Sequence, residues 1–402
     1  MTTSDPAAGA GSASPALLRV GGGYVVRHQL ALAVAAGCRR IICVARSFVP
    51  EFAQLQRDAE QHGASFHIVS GPTGLSPLVT AADEVLSIAE GLLPTPGDAL
   101  PLLSGGQAIL VQPAEAGLSA GFERIDLNYA YAGLMLVPGR LVDRLMDMPV
   151  DVDPSSALLR LALQAGIAQR GVPESVLAGG HWLLIRNEAE AQAAEERWMA
   201  RHTAGGPGAP GDWLARQLVR RFGAALLHEG GSIPVGRGLG VALVLMAVSI
   251  GWVGYLTVAL LLAGAGWLML RAVELLGRLQ CDALGQPARW PWVGTISTVV
   301  VDLALVALMA LAAPDLPGQL LLERAFPAVM LIGLLRLLPR ATSPQAGPWC
   351  EDRLTLALLL ATLAAGRSLA VGIPALCALL VLLGLLVPRA GTVGEDADIT
   401  RA

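Results

Sequence analysis

From Gly238 to Leu270 the chain runs without one charged side chain. An apolar stretch of this length exceeds the roughly 20 residues that cross a bilayer as a helix. Glycines and Ser249 near its middle predict a tight break, so the pattern reads as a helical hairpin over 237–252 and 254–274. Residues 292–313 predict a third span with Asp302 inside it. Residues 320–338 predict a fourth, with Glu323, Arg324 and Arg336 near its ends. Residues 354–387 repeat the hairpin pattern, interrupted by Arg367. The expectation is an all-α membrane domain of six spans over 231–390.

The first half has another rhythm. Apolar helical faces alternate with short β-rich runs: helix 25–36, strand 41–45, helix 48–62, then strands at 65–70, 84–90 and 107–112. A strand-turn-helix follows over 131–148, then a helix over 156–167, a strand over 181–186 and an acidic helix over 187–200. Such alternation predicts an α/β domain with a sheet covered on both faces. Residues 1–16 are small and polar and read as a disordered leader; the domain covers 17–200 and 391–402 form a tail. The Gly/Pro-rich stretch 201–212 reads as a linker. Beyond it, 213–230 predicts an amphipathic helix on the membrane surface, with Arg216, Arg220 and Arg221 beside Trp213, Leu214, Leu218 and Phe222.

Composition sharpens this picture. Hydrophobic residues make up 54% of the chain, charged residues only 15%, and mean hydropathy is +0.57. All 28 basic residues are arginine; with no lysine, a P-loop and any Schiff-base mechanism are excluded. The net charge of −4 gives no case for nucleic acid. The five cysteines are scattered, without metal-ligand spacing or a disulfide framework, which suits a reducing compartment. Arginines gather before the first predicted span, between two and three, between four and five, and after six. That bias predicts cytoplasmic termini and, with the arginine-only composition of a GC-rich bacterial genome, a bacterial inner membrane. Asp143, Asp147, Asp151 and Asp153 read as a solvated helix end and loop, and the histidines show no ligand spacing.

The stretch LLRVGGGYVVRHQLALAVAAGCRRIICVA, from Leu17 to Ala45, resembles the early segment of sugar-phosphate and alditol-phosphate nucleotidyltransferases. The Trp182 strand and the helix to Trp198 resemble that domain's end. The resemblance implies a Rossmann-like nucleotidyltransferase-type fold, with Gly22 and Gly23 near a nucleotide and Glu90 nearest to the family's magnesium-binding aspartate. The chain departs from it before Leu17, where PAAGAGSASPA stands without a launching strand or the basic residue that neutralises phosphates.

With six spans behind it, the arrangement resembles the fused inositol-phosphate cytidylyltransferase and CDP-alcohol phosphotransferase. That family binds two divalent metals through D-x2-D-G-x2-A-R at the end of span two and G-x3-D-x3-D in span three. Here Arg278 matches the final arginine, and Leu270, Val273, Glu274 and Gly277 fill the positions before it. Gly294, Thr298 and Asp302 match the second motif with its first aspartate lost. The resemblance implies Asp302 and Glu274 as surviving acids, Asp282 as a further metal ligand, and Arg278 and Gly294 as contacts to a CDP-linked ligand. Mg2+ is expected only if this site is active.

An ionisable Asp302 at mid-span needs a partner: Arg271, Arg278 or a polar cavity, a retained ligand, or a proton. The function expected first is a catalytically degenerate membrane protein with a residual ligand-binding or scaffolding role in lipid or phospho-alcohol metabolism. The alternative is an active CDP-alcohol phosphotransferase with an altered metal site. A transporter fits less well, for want of an inverted repeat of interrupted polar helices. Expected partners are membrane lipid, a CDP-linked or other nucleotide, and a second copy of the chain.

Overall fold

The computed structural model describes residues 2–3, 14–45, 47–147, 153–203, 208–228, 232–283, 292–313, 321–341 and 347–386. Two compact units divide the chain, one over Met1–Arg201 with Gln280–Pro287 and one over His202–Leu279 with Ala288–Ala402.

The first unit is mixed α/β. Its strands are β1 (Thr2–Thr3), β2 (Arg19–Val20), β3 (Gly23–Tyr24), β4 (Arg40–Ala45), β5 (Ser65–Val69) and β6 (Glu84–Ile88). They continue with β7 (Leu92–Pro94), β8 (Ala108–Pro113), β9 (Tyr129–Pro138), β10 (Gln169–Gly171) and β11 (Trp182–Leu184). The helices are α1 (Val25–Ala35), α2 (Glu51–Gln61), α3 (Pro96–Leu103), α4 (Ala114–Ser119), α5 (Arg140–Asp143), α6 (Pro154–Gln164), α7 (Glu174–Ala178) and α8 (Glu188–Thr203). One sheet runs β1-β4-β5, all parallel; another runs β10-β8-β9-β6, with β9 antiparallel to β8 and β6. Ala108–Gln112 of β8 is buried at every position, as expected for a strand covered on both faces.

The alternation of strand and helix foreseen in the sequence is present. The launching strand judged missing is also there: Thr2 and Thr3 pair with Val44 and Ala45. Two residues are too few to carry a period, so no pattern announced them. Residues 4–13 lie outside the described residues.

The second unit is helical: α9 (Pro210–His228), α10 (Ser232–Trp252), α11 (Leu256–Ala283), α12 (Trp292–Ala312), α13 (Leu321–Ala341), α14 (Gly347–Glu351), α15 (Arg353–Ala365) and α16 (Leu369–Leu386). Four segments are long and apolar enough to cross a membrane: Ile233–Trp252, Leu256–Leu279, Gly294–Ala312 and Leu369–Leu386. The chain is therefore a multi-pass membrane protein, with four such helices among the described residues rather than six. Two expected spans fall short for different reasons. In α13 the charges of Glu323, Arg324, Arg336 and Arg340 dilute the apolar run. The last hairpin divides unevenly at Gly366–Arg367, where Arg367 takes a left-handed backbone (φ 54°). That leaves α15 with 13 residues, about 20 Å against a hydrocarbon core of roughly 30 Å. A single core joins α10–α13, α15 and α16 through Ala247, Leu260, Leu305, Leu331, Leu360 and Ile373.

Gly91 ties β6 to β11 at a point of close approach. Its φ is +76°, its carbonyl accepts from Ile185 N at 2.8 Å, and a Cβ would run into the Ile185 carbonyl oxygen. Gly91→Ala is expected to cost at least about 1–2 kcal/mol from the left-handed backbone alone. The check is the urea midpoint of the α/β transition in the full chain, beside Gly97→Ala, where a Cβ meets open space.

Candidate functional site

The site lies at one end of the helical unit, where charge enters an otherwise apolar bundle. Along α11, Arg271, Glu274 and Arg278 recur at three- and four-residue spacing and share a face. Glu274 accepts from Arg278 at 2.5 Å and from Arg271 at 3.4 Å, and Arg271 also binds Asp212 of α9 at 2.8 Å. On the facing helix α12, Gly294 gives Glu274 its space: a Cβ there would overlap the Glu274 carboxylate. Gly294 thus sets how closely α11 and α12 approach at this level.

Asp302 sits one turn after Thr298 on α12 and is 4% exposed. Arg353, the first residue of α15, reaches it through Nε at 2.5 Å and a terminal nitrogen at 3.2 Å. Arg336 of α13 adds a contact of 2.7 Å. One carboxylate so joins α12, α13 and α15, in the forked geometry that makes arginine–carboxylate pairs strong. The partners foreseen for Asp302, Arg271 and Arg278, serve Glu274 instead. Arg353 is itself 2% exposed and also donates to the Cys350 carbonyl at 2.5 Å. Beside it, Asp352 caps α15 by accepting from Leu354 N and Thr355 N, and it accepts from Gly211 N of α9 at 2.8 Å.

These groups surround a cavity of about 360 Å3 lined by Arg271, Glu274, Arg278, Gly294, Thr295, Ser297, Thr298, Arg336, Glu351, Asp352 and Arg353, with Trp267 and Leu270 as apolar wall. The structure therefore brings Glu274, Arg278 and Gly294 to one cavity, with Asp302 behind two of its arginines. Of the positions where the resembled motifs carry acids, Leu270 and Thr298 line the cavity, while Val273 packs toward Gly236 of α10.

This donor set does not suit a divalent ion. Magnesium takes unpaired carboxylate oxygens and water; here both oxygens of Asp302 and both of Glu274 face guanidinium nitrogens. Among the described residues no group of three His, Cys, Asp or Glu side chains is placed to hold a metal. The side chain of Asp282 lies outside them.

Sequence reasoning missed Arg336, Arg353, Asp212 and Asp352. Arg336 and Arg353 were read as charges flanking spans. The signal available was Asp302 itself, whose burial requires a cation at its own depth.

In the α/β unit the glycine run forms a turn. Gly21 and Gly22, at φ 62° and 79°, form the two-residue turn between β2 and β3, whose register pairs Val20 with Gly23. Two successive positive φ values suit a tight hairpin. The Gly21 N–H donates to the buried Glu195 carboxylate of α8 at 3.2 Å, and Trp198 packs over Gly21. An internal anion and an indole thus cover this side of the turn, where the resemblance implied a nucleotide. Glu90 accepts from the Ser14 hydroxyl at 2.6 Å.

Elsewhere, Asp153 caps α6 through Ser156 N, His181 pairs with Asp98 at 2.8 Å, and Asp151 lies outside the described residues. Burial pushes the Cys38 and Cys43 thiols up, which suits inert packing residues.

Asp302→Ala leaves one buried and one half-exposed guanidinium without their acid, and is expected to destabilise the helical unit by about 3–5 kcal/mol, read as loss of unfolding free energy in detergent. Gly294→Ala and Glu274→Gln are expected to be non-additive by about 0.5 kcal/mol or more in a double-mutant cycle, because the first displaces the carboxylate that the second neutralises. Neither a protein-family model nor a curated protein matches the chain, so its functional reading rests on this arrangement of charge.

Proposed function

We propose that the protein is a catalytically degenerate membrane relative of the nucleotidyltransferase and CDP-alcohol phosphotransferase fusions, with a ligand-binding or scaffolding role in phospholipid or phospho-alcohol metabolism. The observation that carries this reading is the neutralisation of Asp302 and Glu274 by arginine. A transferase of that type needs carboxylates open to metal and to the acceptor hydroxyl. Here Asp302, the one acid kept at a motif acid position, and Glu274, which stands at the motif's glycine, are held by bases, and Leu270, Val273 and Thr298 stand where the other three acids would be.

The ancestry rests on the sequence resemblance. Its support is the order of an α/β unit followed by an amphipathic helix and an apolar bundle, together with a polar cavity at the motif positions. In this reading α13 and α15 complete a bundle derived from six spans. The arginine-rich ends of the helices face the cytoplasm of a bacterial inner membrane, as the positive-inside bias favours.

The test is divalent-metal-dependent CMP release from a panel of CDP-alcohols by purified protein, beside Asp302→Asn. The expected result is no turnover above the background of the variant. Turnover that Asp302→Asn abolishes would establish the active transferase instead.

A further inference from the structure

The exposure of the cavity's charges narrows what it can hold. The side chains of Arg278, Arg336 and Arg271 are 61%, 42% and 30% exposed. The acids that they bind are more deeply set: Glu274 at 20%, Asp302 at 5% and Asp212 at 17%. In each of these pairs the accessible partner is therefore the guanidinium, with its carboxylate behind it. A guanidinium carries five N–H donors. Arg278 gives one nitrogen to Glu274, and Arg336 gives Nε and one terminal nitrogen to Asp302, so each fork keeps donors for a ligand. Thr295 lines the same cavity and supplies a hydroxyl.

Planar, multiply donating cations of this kind recognise phosphate oxygens. The location fits as well. Arg278 stands at the end of the apolar segment Leu256–Leu279, and arginines at helix ends lie at the level of lipid headgroups. Asp352 is filled by backbone N–H groups and the Thr355 hydroxyl. Glu351 is exposed and lines the same opening; its charge opposes a long polyphosphate more than a single phosphate group.

We infer that this cavity binds a phosphate monoester directly, without a bridging cation, with Arg278 and Arg336 as its donors. The inference rests on the metal-free reading of the membrane site. A lipid headgroup and a soluble phosphate ester share this chemistry.

The full chain is placed in phosphatidylcholine nanodiscs, and its thermal unfolding is followed with phosphatidic acid or phosphatidylglycerol added to the disc. Soluble glycerol 3-phosphate is titrated in a third arm. The expected result is stabilisation by phosphatidic acid, none from the diester phosphatidylglycerol at equal mole fraction, and an apparent affinity about tenfold lower or worse in Arg278→Gln. Because Arg278→Gln also removes a partner of Glu274, each variant's shift is read against its own unfolding temperature in plain discs. Arg336→Lys, which keeps a cation on Asp302 but loses the fork, should weaken binding in the same direction. Stabilisation by glycerol 3-phosphate that Arg278→Gln removes would assign the site to a soluble ester and uphold it. Equal shifts from both lipids, unchanged in either variant, would overturn the site in favour of general surface attraction, and so would no shift in any arm. CMP release decides the metal-free reading separately, so the two can fail independently.

Discussion

The buried Asp302 carboxylate is the constraint around which the membrane end of the helical unit is arranged. Most contacts between the helices here are apolar, and apolar side chains in lipid have little to choose between one register and another. A carboxylate at 4% exposure has no such freedom. It requires cations at its own depth, and Arg353 and Arg336 supply them from two other helices. The pairs fix which turn of α13 and α15 faces α12. Desolvating three ionised groups is costly, so their contribution lies in specifying one arrangement more than in raw stability.

The same logic extends to Glu274. It bridges Arg271 and Arg278 along one helix and presses against the backbone of the next at Gly294. Together the arginines that hold the two acids turn what would be a negative cavity into one where guanidinium groups stand in front of Glu274 and Asp302. That pairing of acid with base, more than the loss of any single side chain, separates this site from one built to hold magnesium.

Much of this was legible in the sequence, and the exceptions have physical causes. The long uncharged run and the α/β alternation carried their own periods, so α10, α11 and most of the sheet follow from pattern alone. Span number did not, because hydropathy reports composition and misses where a helix stops. Arg367 takes a left-handed turn that leaves α15 only 13 residues, a length that the apolar composition on either side of it does not report. Asp302 was recognisable as a residue in need of a partner, but Arg336 and Arg353 are far from it in sequence and become its neighbours only through packing. The glycine run was ambiguous in principle: adjacent glycines serve a phosphate cradle and a tight hairpin equally well. In the structure Gly21 and Gly22 form a tight hairpin turn, and Glu195, distant in the chain, takes the Gly21 N–H.

Asp352 and Arg353 are adjacent residues with different attachments. The first grips the start of α9 through Gly211, and the second grips Asp302. A single peptide bond therefore separates the anchor of α9 from the deepest charge of the bundle. Displacing α9, whose outer face carries Trp213 and Phe222, pulls on the cap of α15 and, through it, on the guanidinium beside Asp302.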